Sequence, residues 1–84
     1  MNYSQIIANR ILSLSRARKI SINKLAGMCN LNQSTLDNII HGASQNPRIV
    51  TLHKIAYAFG MTISEFLDFP EIDAVTFEEN STRD

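Results

Sequence analysis

The sequence predicts an all-α fold, a compact bundle of five short helices over residues 4–69. Three observations predict it. Apolar residues recur at helical spacing, as in Ile7, Ile11 and Leu14, or in Leu52, Ile55, Ala56 and Phe59. Before residue 72 no stretch combines sustained period-two alternation with β-branched enrichment, so no strand is expected there. Helix-starting and helix-stopping residues punctuate the chain at short intervals, which keeps each helix short.

The first helix is expected over 4–18, with Ser4 as N-cap and Arg16, Arg18 and Lys19 in or just past the last turn, where the helix dipole favours cations. Ser21 is the N-cap expected for a second helix over 22–29, burying Leu25, Ala26 and Cys29. Lys24 stands where a capping box would place Glu or Gln, so that cap is half made. Asn30 tolerates left-handed backbone and can end this helix in a tight turn. Asn32 then caps a third helix over 33–41, with Leu36, Ile39 and Ile40 inward and Gly42 as terminator. Residues 43–47 read as a loop. Thr51 is expected to cap a fourth helix ending at Gly60. Ser64 is expected to cap a fifth, which holds Phe66 and Leu67 and stops at Pro70.

Eighty-four residues suit one small domain, and 44% hydrophobic with 19% charged residues is globular rather than disordered composition. We divide it into a folded unit, 1–69, and an acidic tail, 70–84, in which Ile72, Val75 and Phe77 are candidates for docking. A lone cysteine excludes an internal disulfide framework and suggests a reducing, cytoplasmic setting. The opening residues lack a signal-peptide pattern, and no apolar run reaches the length of a membrane span. The net charge is zero but unevenly placed. Residues 1–63 carry seven Lys/Arg against one acid, and residues 64–84 carry one Arg against seven acids. A basic body suits a polyanion, although solvated surface charge gives the same totals.

The informative stretch is 22–41, two short helices joined by a tight turn. Where such helices cross steeply the first needs a small side chain, and Ala26 supplies it. Leu25, Cys29, Leu31, Leu36 and Ile39 fall at the spacings that face a shared core. The second helix then presents Asn32, Gln33, Ser34, Thr35 and Asn38 on its outer face. Gln and Asn can bond bidentately to an adenine edge, Ser and Thr can bond bases or phosphates, and a Thr methyl can meet a thymine methyl. On an isolated helix the same residues would be an ordinary solvated face.

These residues, together with Asn9-Arg10-Ile11, Ile22-Asn23-Lys24-Leu25-Ala26, Gln33 through Gly42, Asn46-Pro47-Arg48, Leu52-His53-Lys54-Ile55-Ala56 and Ile63-Ser64-Glu65-Phe66-Leu67, resemble the lambda-repressor/Cro-like helix-turn-helix domain of the XRE family over about residues 5–68. The resemblance implies five helices, operator DNA as ligand and a homodimer that represses transcription. It implies base contacts from Gln33, Ser34 and Asn38, to which Thr35 is added from its place on the same face. It implies backbone contacts from Asn32, Arg48 and Asn23, with Lys24 beside them. The chain departs from the family pattern at three places. Ile22 replaces a common phosphate-binding Gln, Asn30 a common Gly, and Ser15 with Ile40 an ion pair found in several members.

Cys29, His41 and His53 lack structural-zinc spacing, so Cys29 is expected in the core and no metal or cofactor is expected. His41 can cap the carbonyls at the end of its helix. No nucleophile elbow, phosphate-binding glycine loop or HExxH occurs, so no enzyme and no small-molecule substrate are expected. The alternative to a DNA-binding regulator is an antitoxin or protein-interaction module on the same fold, engaging a protein partner through the acidic tail. Phe66, Phe69, Ile72 and Val75 are the candidates for a dimer surface.

Overall fold

Six helices make up the described residues, 3–41 and 46–75, of the computed structural model. They are α1 (Tyr3–Arg18), α2 (Ile22–Cys29), α3 (Gln33–Ile40), α4 (Ile49–Ala58), α5 (Ile63–Leu67) and α6 (Pro70–Asp73). No strand occurs among the described residues. The all-α expectation holds, and a short sixth helix follows the five expected ones.

α1 begins at Tyr3, before the expected cap. Ser4 lies within the helix and is buried at 2% exposure. At its other end Lys19 turns left-handed at φ 55°. The Ile20 N–H then reaches back to the Ser15 carbonyl at 3.0 Å, and the buried Ser15 hydroxyl donates to the Ile20 carbonyl. Ser21 caps α2 as expected, accepting from the Lys24 N–H at 3.1 Å. Asn30 closes α2 at φ 55°, ψ 42°, which brings the Leu31 N–H to the Ala26 carbonyl at 3.0 Å.

α3 stops one residue short of its expected end, with His41 as cap. Nδ1 of His41 lies 2.9 Å from the Asp37 carbonyl, a bond that requires the proton on Nδ1. Gly42 and most of the expected loop fall outside the described residues.

Two further caps differ from expectation. α4 starts at Ile49 with Arg48 as N-cap, and Thr51 lies inside it. Arg48 is extended at φ −69°, ψ 144°, as an N-cap requires, and the helix begins at the next residue. α5 is capped by Thr62 rather than Ser64. The Thr62 hydroxyl accepts from the Glu65 N–H at 3.0 Å while the Glu65 carboxylate accepts from the Thr62 N–H at 2.9 Å, a complete capping box. α5 ends at Leu67, and Pro70 opens α6, because a proline's missing N–H costs nothing in the first turn.

One core joins these elements. Ile6, Ile7, Ile11 and Leu14 of α1 meet Leu25, Ala26 and Cys29 of α2, Leu36 and Ile39 of α3, Leu52, Ile55 and Ala56 of α4, and then Phe59, Phe66 and Phe69. α1 packs chiefly on α3, and α2 on α4 and α3. α5 lies on α4, and α6 returns to α1. Ile72 and Val75 pack partly buried against this core, while Phe77 lies outside the described residues.

Two arginines of α1 pin the far helices. Arg10 donates from Nε to the Phe66 carbonyl and from Nη2 to the Glu65 carbonyl, each at 2.9 Å, with its guanidinium 4.8 Å from the Phe69 ring centroid. Arg18 donates to the Phe59 carbonyl at 3.1 Å and lies 5.6 Å from that residue's ring centroid. Each cation meets carbonyls at the negative end of a helix, where the dipole adds to the hydrogen bond.

Candidate nucleic-acid interface

Leu36 and Ile39 are buried and fix which face of α3 turns inward. Helical spacing then settles the rest. Gln33, Ser34 and Asn38 are exposed, and Thr35 and Asp37 are half-buried at the margins. Ser34 and Asn38 are one turn apart on one side, and Gln33 and Asp37 are one turn apart beside them. The Gln33 amide nitrogen donates to a carboxylate oxygen of Asp37 at 3.0 Å.

A groove of about 430 Å³ runs between α3 and the start of α4. Thr35 and Asn38 line one wall, and Asn46, Arg48 and Thr51 line the other. Arg48 and Asn38, distant in sequence, thus border one cleft. Asn46 belongs to the same set, although it was not among the residues assigned from the sequence. Its place beside Asn38 follows from how α4 docks on α3, which the sequence does not mark.

The helix starts add fixed positive potential. Asn32 and Arg48 occupy the N-cap positions of α3 and α4, and neither side chain makes a capping hydrogen bond. The first-turn N–H groups of both helices therefore lack a side-chain acceptor at the cap, and such groups attract anions. Asn23 and Lys24 are exposed in the first turn of α2. Ile22, by contrast, packs partly buried against the core, so the start of α2 offers no polar side chain there. Of the basic body's cations, Arg10 and Arg18 are occupied with backbone carbonyls.

Cys29 is buried beneath α4, and that burial pushes its thiol above the ordinary value, opposed in part by the Lys54 ammonium. It is a neutral core residue. Among the described residues no three His, Cys, Asp or Glu side chains gather where they could hold a metal ion. No helix among them is long and apolar enough to cross a membrane.

The candidates for a dimer surface need correction. Phe66 and Phe69 fill the core and are not available outside. The large apolar side chains left exposed include Met28, Val50 and Tyr57, the last at 81% exposure. They border a groove of about 290 Å³ between α2 and α4, together with His53 and Lys54.

Two helices crossing at a tight turn, the second presenting a polar, exposed face beside two open helix starts, define a helix-turn-helix DNA-binding domain. Residues 10–71 match the Cro/C1-type HTH DNA-binding domain, and the chain belongs to that family. The fold is similar to that in the crystal structure of the prophage Lp1 protein 11. The two chains are 29% identical with a TM-score of 0.79, over 89% of this chain and 100% of that one. No curated protein matches the chain.

Proposed function

We propose that the chain is a sequence-specific transcriptional regulator that binds a pseudo-palindromic operator as a homodimer and represses by occupying it. The observation that carries this reading is the exposed row of Gln33, Ser34 and Asn38 on α3, flanked by the cleft that Arg48 and Asn46 border. α3 enters the major groove, and Gln33, Ser34, Thr35 and Asn38 meet base edges. Asn32, Asn23, Lys24 and Arg48 hold phosphates on either side. Two copies set their α3 helices about one helical turn, ~34 Å, apart.

Selection of bound sites from random duplexes, followed by titration against salt, tests the reading. Affinity should fall steeply with salt, as phosphate contacts release counterions. Gln33→Ala should cost about 1–3 kcal/mol on the selected site and relax preference at one base pair. Arg48→Ala should weaken selected and random duplexes alike. Equal losses on both duplexes for Gln33→Ala defeat its role as a base contact. A chain that binds no duplex at low salt defeats the whole reading and leaves the protein-interaction module.

A further inference from the structure

Asp37 is the one carboxylate in the first 64 residues of the chain, and it sits on the helix assigned above to face a polyanion. There it repels phosphate whatever the base sequence, so it weakens binding without discriminating between sites. What it does locally is accept a hydrogen bond from the Gln33 amide nitrogen at 3.0 Å. We propose, resting on the reading of Gln33 as a base contact, that Asp37 is a positioning residue that makes Gln33 select adenine over guanine.

The chemistry of a primary amide carries the argument. Its two ends, an oxygen acceptor and a nitrogen donor, have nearly the same shape, and an unsupported side chain can present either. A carboxylate accepts only, so Asp37 draws the nitrogen toward itself and turns the Gln33 oxygen away. The amide nitrogen has two N–H bonds. With one given to Asp37, Gln33 keeps one donor and one acceptor for a ligand. When the N–H given up is the one trans to the oxygen, the remaining pair lies on a common edge. That pair matches adenine, whose N7 accepts and whose N6 donates. Guanine offers two acceptors, N7 and O6, and Gln33 no longer has two donors for them. Fixing the side chain before binding also lowers the rotamer freedom lost on contact. As a plain helix-stabilising pair one turn apart, Gln33 and Asp37 would alter stability slightly and base preference not at all.

Three variants of the full chain separate these effects in site selection and in titrations of the selected duplex, its A-to-G counterpart and random DNA. Asp37→Ala should lower the adenine-over-guanine ratio at the Gln33 base pair by about tenfold, within the range a bidentate contact supplies. It should also raise affinity for random DNA, by about twofold or more at low salt, because a repulsive charge is gone. Asp37→Asn keeps an oxygen acceptor for Gln33, so it should share the gain on random DNA and retain most of the base preference. Gln33→Ala should abolish the preference at that base pair. Circular dichroism and thermal melting establish that each variant is folded. An undiminished adenine preference in Asp37→Ala, while Gln33→Ala loses it, overturns the proposal and leaves the reading head intact. An Asp37→Asn variant as indiscriminate as Asp37→Ala also overturns it, since charge alone would then be responsible. A Gln33→Ala variant with unchanged site preference removes both the proposal and the assignment it rests on.

Discussion

Lys19 and Asn30 hold the same left-handed backbone, φ 55° at each, and end α1 and α2 in the same way. The two residues are not equally suited to it. A side chain with a β-carbon crowds the following carbonyl in this region, at a cost of roughly 1–2 kcal/mol, whereas Asn relieves part of it through local hydrogen bonding. Glycine carries no such penalty but gives the unfolded chain more freedom. Lys19→Gly should therefore stabilise the fold by about 0.5–1 kcal/mol, and Asn30→Gly should stay within about 0.5 kcal/mol of the parent. Urea unfolding of both variants measures the contrast. Equal gains would mean that Asn30 is as strained as Lys19. The left-handed turn at Asn30 was legible because Asn favours it. At Lys19 it was not, because a cation at a helix end satisfies the dipole in any conformation.

Between elements, the contacts that lock α5 and α6 to α1 pass through Arg10. Its guanidinium reaches two carbonyls of α5 and covers Phe69, the residue just before α6. Hydrogen bonds from a charged group contribute about 1.5–3 kcal/mol net when their acceptors are partly buried. Arg10→Ala should cost about 2–3 kcal/mol in chemical denaturation. Arg10→Lys should recover less than half, because an ammonium cannot span both carbonyls or stack on the ring. Full recovery by Lys would show that charge near the helix end suffices. The positions of α2 and α3 and their inward residues were readable from period and caps. The capping box of α5 was also written in Thr62 and Glu65, but Ser64, an equally good capping residue, competed with it. α6 was obscured because Pro70 reads as a terminator as readily as a helix start. Within the candidate site, exposure of Gln33, Ser34 and Asn38 followed from helical spacing. The i,i+4 spacing of Gln33 and Asp37 permits their bond, but its formation depends on rotamers, and the approach of Asn46 to Asn38 depends on how α4 docks, which the sequence does not mark.

At the scale of the whole molecule, the proposed reading of two half-sites calls for a second copy, and among the described residues the core leaves few apolar side chains for it. Burying Phe66 and Phe69 inside removes two expected candidates, whereas Met28, Val50 and Tyr57 remain uncovered along α2 and α4. For the proposed dimer, this face is the predicted pairing surface. The face carries Lys54 and neither α2 nor α4 contains an acid, so two copies meeting there bring like charge together. Added salt should then strengthen the dimer by screening that repulsion, while it weakens the hold on phosphate. Tyr57→Lys deletes the most exposed aromatic anchor and adds a further cation at a position with 81% exposure, so the monomer fold should survive it. In analytical ultracentrifugation the parent's dimer dissociation constant should fall as salt rises, and the variant's should be about tenfold or more above the parent's, on the scale of losing one aromatic anchor from an interface. Binding to a single half-site should be unchanged, and the advantage of a full pseudo-palindrome over a half-site should shrink in parallel with dimerisation. A Tyr57→Lys chain that dimerises as tightly as the parent moves the pairing surface elsewhere on the molecule.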